Sequence, residues 1–228
     1  MKIKMILISL LLVTANVTFA QHNIQAPVCK PNPHGLITLE QCPESHQQLS
    51  VKVSDDLDKI TIYYNGQVLQ QLTSEESFAS PSAQGECPVH FLDANFDGKC
   101  DIFVGPGYSR TYSTLLLWNP QTDKFEPMTD CEGAALQNIA LDPQNKKVFD
   151  GGSSSYCEQD GEMMVWKGNK LEIVESLVII SDPTQYQANG VKYQYTIKNK
   201  KTGRLVKATN YVQNLPLRWR NYITTMGF

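Results

Sequence analysis

Residues 59–73, KITIYYNGQVLQQLT, admit little besides a β-hairpin. Two β-rich runs flank Asn65-Gly66, a pair that tolerates the positive φ angles of a two-residue turn. The same grammar recurs along the chain, as short alternating runs separated by turn residues. Further strands are predicted at 49–53, 89–92, 102–104, 112–118, 136–141, 147–149, 163–166 and 171–180, the last two separated by KGNK. Residues 191–197 alternate again and turn at NKKTG toward a partner at 204–211. Only LPLRWRNYI, around Pro216, reads as a short terminal helix. The class is all-β, and without a long linker or a strict repeat one domain over residues 21–228 is expected.

The chain opens on a different signal. Lys2 and Lys4 precede an apolar run at 5–13, and small residues follow at 17–20, the pattern of a secretory leader over residues 1–20. Cys29 is too far downstream of that site for a lipid anchor, and no other stretch is apolar enough to span a membrane, so a periplasmic or secreted protein is expected. All six cysteines, Cys29, Cys42, Cys87, Cys100, Cys131 and Cys157, lie beyond the leader. An even count in an oxidising compartment reads as disulfides, and none of the spacings suits a zinc knuckle or a redox pair. The pairing Cys29–Cys42, Cys87–Cys100 and Cys131–Cys157 is expected because local pairs close the shortest loops; a buried thiol or two is the competing reading.

Charge divides the chain. Residues 21–182 carry 10 Lys/Arg against 23 Asp/Glu, whereas 183–228 carry 8 Lys/Arg and no acid. An acidic body argues against a nucleic-acid partner and suits a basic protein partner, while the basic tail is expected to pack back on the body.

The stretch DANFDGKCD places Asp93, Asn95 and Asp97 at positions 1, 3 and 5, Gly98 at 6, Lys99 at 7 and Asp101 at 9. Hard cations take six to eight oxygens, and alternate side chains of a tightly coiled loop, with the Lys99 carbonyl, converge as such a set. Calcium is the expected ion. Val104 stands where an EF-hand has its bidentate Glu, and the flanks read as strands, so the loop is not an EF-hand. The competing reading is an Asx-rich turn without metal.

Little points to catalysis. His22, His34, His46 and His90 form no metal-binding pair, and the sequence has neither a nucleophile elbow nor a phosphate-cradling loop, so no enzyme is expected. The stretch DGGSSSYCEQDGE, 150–162, reads instead as a small polar loop. Gly152, Ser153, Ser154, Ser155 and Tyr156 are its candidate partner-binding residues, Tyr156 being a large, stiff anchor with a polar tip. An ordinary surface loop with Tyr156 turned inward competes with that reading.

Taken in order, FLDANFDGKCDIFV, YSTLLLWNPQTDKFEPM and VFDGGSSSYCEQDGEMMVWKGNKL resemble the motifs of exported bacterial β-proteins that include calcium-binding periplasmic immunity proteins, inhibitors of lysozyme-like effectors of type IV secretion. The nine-residue loop resembles FG-GAP calcium hairpins. The resemblance spans residues 88–178. It implies a compact antiparallel propeller-like β-domain, with a β-sandwich as the alternative, calcium support of the inhibitory form, and Tyr156 as the loop tyrosine that enters a muramidase cleft. The chain departs from those relatives in having no lipoprotein cysteine and six cysteines.

Overall fold

The computed structural model describes residues 26–29, 36–38, 42–56, 58–73, 89–105, 113–128, 136, 139–155, 158–187, 190–210 and 215–225. In chain order the strands are β1 (Ile37–Thr38), β2 (Leu49–Val53), β3 (Lys59–Tyr64), β4 (Gln67–Thr73), β5 (Val89–Leu92), β6 (Asp101–Val104), β7 (Thr114–Asn119), β8 (Lys124–Pro127), β9 (Ala140–Asp142), β10 (Lys147–Ser155), β11 (Glu158–Lys167), β12 (Lys170–Gln187), β13 (Gly190–Asn199) and β14 (Leu205–Asn210), followed by helix α1 (Leu217–Thr225). They form three antiparallel sheets, none closed, ordered β2-β3-β4, β5-β6-β7-β8 and β1-β9-β10-β11-β12-β13-β14. The all-β class and the terminal helix are as the sequence predicts. In the Asn65-Gly66 turn both residues have positive φ, 49° and 79°, and Tyr64 pairs with Gln67.

Successive side chains of a strand point to opposite faces, and this sorts the sheets into layers. Every residue of β6 is buried. Its Ile102 and Val104 join Leu49, Ile60 and Ile62 of the three-stranded sheet, whereas Phe103 joins Leu141, Val148 and Met164 of the seven-stranded sheet. The four-stranded sheet is therefore covered on both faces, which is why DIFV reads as a continuous apolar run after its first residue. On its far face the seven-stranded sheet packs Ala140, Phe149, Met163, Leu177 and Ile179 against Trp219, Tyr222 and Ile223 of α1. Fully burying one such Leu, Ile or Phe contributes about 1.5–3 kcal/mol.

Two edge strands are joined by a side chain. The Gln70 amide on β4 donates to the Phe125 carbonyl and accepts from the Phe125 N–H on β8, both at 2.9 Å, replacing the missing ladder rung between sheets.

The proline-rich lead is tied down along the four-stranded sheet. Cys100 N–H donates to Pro27 O at 2.8 Å and Phe91 N–H to Pro43 O at 2.9 Å. His46 accepts from the Gln48 and Leu49 N–H groups through Nδ1, leaving Nε2 to donate to Val28 O at 3.3 Å. This course brings Cys29 to Cys100, Cα to Cα 4.7 Å, and the two form a disulfide. The expected pairs Cys29–Cys42 and Cys87–Cys100 are thereby corrected. Sequence distance ranks loop entropy, but the bond forms where the chain path brings the thiols together, here across 71 residues. Cys42 is buried in the cluster on the opposite side of the four-stranded sheet. Cys87, Cys131 and Cys157 lie outside the described residues, and with them the third expected pair.

The basic tail does pack on the acidic body. Arg218 of α1 donates from Nε and Nη2 to the two oxygens of Glu175 on β12, at 2.9 and 2.8 Å, and the Trp219 indole donates to the same carboxylate at 3.0 Å. Burial pushes the Glu175 carboxyl up, but the bonds from Arg218 and Trp219 outweigh it and leave its pKa below the ordinary value. A lowered folded pKa gives stability that is present above the unfolded value, about 4.3, and lost as pH falls through the folded one. The Trp219 indole N–H resonance is accordingly expected to hold constant at neutral pH and to shift only as pH falls below the ordinary carboxylate range, a dependence that Glu175→Gln removes. A midpoint near neutrality would contradict this account of the latch.

Candidate functional site

The Leu92–Asp101 pair of β5 and β6 closes the loop that carries Asp93, Asn95, Asp97 and Lys99, so the residues singled out for calcium share one short loop between paired strands. The loop coils because Phe96 and Gly98 take left-handed conformations, φ 61° and 83°. Glycine does so freely, while Phe96 accepts roughly 1 kcal/mol of strain and packs its ring on the core. Asp93 accepts from the N–H groups of Asp97 and Gly98 at 3.0 Å, Asn95 Oδ1 from Asp97 N–H at 3.0 Å, and Asp97 Oδ1 from Lys99 N–H at 2.7 Å.

Asp101 has a role the sequence did not disclose. It is fully buried, and its two oxygens accept from Ala94 N–H in the loop and Trp118 N–H on β7, both at 2.9 Å. Burial pushes its carboxyl well above the usual range, the two backbone bonds pull it down, and the charges of Asp97 and Asp93 push it up again. Asp93 is raised as well, first by burial and then, against the bond from Gly98, by the Asp97 charge. From the other side the Trp166 indole on β11 donates to Ala94 O at 2.7 Å, so the loop is held between two sheets. Nothing in the spacing of residues pointed to Trp166.

Among the described residues no three His, Cys, Asp or Glu side chains are gathered as metal ligands; the loop's carboxylates face its own N–H groups. In residue type the loop's donors are those a hard cation takes. They comprise three carboxylates, an amide and a backbone carbonyl, and two of the carboxyls are pushed up by burial and mutual repulsion, which a divalent ion would relieve. Asp93, Asn95, Asp97 and the Lys99 carbonyl are the groups that would hold it, with Asp101 beneath.

Of the stretch 150–162, residues 150–155 and 158–162 are strand, not loop. β10 runs through Gly151 and Gly152 to Ser155, and pairing continues as Gly151–Gly161, Gly152–Asp160, Ser153–Gln159 and Ser155–Glu158. Polar, glycine-rich composition looks like a loop in isolation, but here the glycines answer a packing demand. A Cβ on Gly151 would lie 2.4 Å from Asp160 O and 2.7 Å from the Tyr222 hydroxyl. One on Gly161 would lie 3.2 Å from the Trp219 ring. The expected binding residues Gly152, Ser153, Ser154 and Ser155 thus sit on a strand, and Tyr156 lies outside the described residues. On the neighbouring strand Glu158 and Asp160 are exposed.

No protein-family model matches the chain, and no curated protein matches it. Among solved structures it is similar to a Xanthomonas type IV secretion system related protein, with a TM-score of 0.40 and 13% identity over 81% of this chain and 98% of that one.

Proposed function

We propose that this is an exported calcium-binding protein that inhibits a lysozyme-like peptidoglycan hydrolase, and that it acts by binding, with no chemistry of its own. The observation that carries the reading is the register of β10 with β11. Ser155 of β10 pairs with Glu158 of β11, and in sequence Tyr156 and Cys157 stand between these two residues. An anchor borne on a stiff hairpin loses little conformational freedom on docking, which favours insertion into a cleft. Glu158 and Asp160 beside it suit the basic surface of such an enzyme. The Cys29–Cys100 disulfide fits an oxidising compartment. Calcium at Asp93, Asn95, Asp97, Lys99 and Asp101 would stiffen a loop that Trp166 connects to β11 itself.

A second reading has its own observation. Because α1 packing accounts for Gly151 and Gly161, the composition of the hairpin needs no inhibitory role, and the protein would then be a calcium-stabilised binding or adhesion module. Protection of purified peptidoglycan from a panel of muramidases separates the two. Tyr156→Ala is expected to weaken inhibition roughly 30-fold, about 2 kcal/mol, while stability stays within about 0.5 kcal/mol. A loss of about 3 kcal/mol in stability would mark Tyr156 as a core residue, and equal protection by the mutant would leave the module reading.

A further inference from the structure

Helix α1 packs on the hairpin from the Phe149–Met163 rung outward. Tyr222 stacks on Phe149 of β10, ring centroids 5.2 Å apart and planes 18° from parallel, and Trp219 meets the same ring edge-on at 5.6 Å. Both then lie over the Gly151–Gly161 pair: a Cβ on Gly151 would clash with the Tyr222 hydroxyl at 2.7 Å and with Asp160 O, and one on Gly161 would press on the Trp219 and Tyr222 rings at 3.2 and 3.3 Å. Tyr222 and Ile223 also line a small cavity with Gln159, Asp160, Leu177 and Ile179, which carries the contact to within one rung of the Ser155–Glu158 pair. The helix is fixed in turn by Glu175, through Arg218 and Trp219, on β12, the strand that pairs with β11.

A strand pair with facing glycines is intrinsically weak, because it has no side chains there to pack and more backbone freedom to lose. Two glycines facing each other on one rung, four and three residues from the Ser155–Glu158 pair, would let the hairpin end bend independently of the sheet. The aromatic rings remove that freedom by filling the space the glycines leave. We infer that α1 is a strut for the β10–β11 hairpin, with Tyr222 and Trp219 as positioning residues that act through the Gly151–Gly161 pair. What the strut does for a partner rests on the inhibitor reading; what it does for the hairpin does not. The Tyr222 hydroxyl has no hydrogen-bond partner among the described residues; over Gly151 it acts by filling space, 2.7 Å from where a Cβ would stand, while the ring lies over Gly161.

Hydrogen exchange on the intact protein tests the strut without a partner. In Tyr222→Ala, amides of 150–162 are expected to lose protection about tenfold or more, while those of β5–β8 keep theirs; Tyr222→Phe, which keeps the stack on Phe149 and loses only the oxygen over Gly151, should lose much less. Gly161→Ala, a smaller perturbation that presses on the rings, should give the same regional pattern with a lower amplitude, and serves if Tyr222→Ala does not fold. Equal loss across all three sheets, or unchanged protection in 150–162, overturns the proposal. Against a muramidase that wild type inhibits, the dissociation rate should rise about tenfold in Gly161→Ala with the association rate unchanged. The exchange pattern decides the strut whether or not any muramidase is inhibited.

Discussion

Cys29→Ser is expected to lower the unfolding free energy by about 4 kcal/mol, a drop of roughly 12 °C in Tm for a chain of this size. The bond to Cys100 spans 71 residues, and the conformational freedom it removes from the unfolded chain grows with the logarithm of that length. The folded state adds a second cost. Cys100 is fully buried among Ile102, Leu116 and Phe91, and without the bond residues 26–29 are held over that cluster by the Pro27 carbonyl, the His46 imidazole and the packing of Ala26. Non-reducing peptide mapping joined to thermal melts checks both parts. A crosslink between Cys29 and Cys42, or a melt unchanged by Cys29→Ser, would remove this bond from the account of stability.

What was legible in the sequence was whatever depends on neighbours along the chain. The Asn65-Gly66 turn, the strands at 49–53 and 89–92, and the Gly168-centred turn between β11 and β12 all follow from alternation and local backbone freedom. So does the coiling of the loop at 93–101, where the bonds of Asp93, Asn95 and Asp97 run between residues at most five apart. Partners distant in sequence were not legible. β8 has the weak pattern KFEP and holds its place through Phe125, whose backbone is bonded by Gln70 from 55 residues away. The continuation of β10 through Gly151–Ser155 was hidden because glycine and serine are poor strand formers on their own; only α1, some 70 residues later, supplies the rings that make glycine the fitting choice there. For the same reason Asp101 looked like one more ligand at position nine, when its oxygens also answer the N–H of Trp118 across the sheet.

That double role makes the two ends of the loop respond differently to mutation. Asp97 is exposed, and its bonds to Lys99 N–H and the Asn95 amide are within the loop, so Asp97→Ala should cost less than about 1 kcal/mol when calcium is chelated. Asp101→Ala leaves the buried N–H groups of Ala94 and Trp118 without acceptors, at about 1–3 kcal/mol each, and should cost about 4 kcal/mol under the same conditions. Calcium adds the second contrast. A ligand that binds only the folded state stabilises wild type by about 2.7 kcal/mol at a concentration a hundredfold above its Kd, which for extracellular sites lies on the order of micromolar to millimolar. Asp97→Ala should lose this whole increment although its chelated stability is nearly that of wild type, because the loop then lacks one of its three carboxylates and keeps its fold. Melts of the two mutants and wild type in calcium and in chelator, with calorimetry for the binding heat, give the comparison. If Asp97→Ala shows the calcium heat and the calcium shift of wild type, the loop is an Asx turn that Asp101 supports from below, and the metal belongs elsewhere or nowhere.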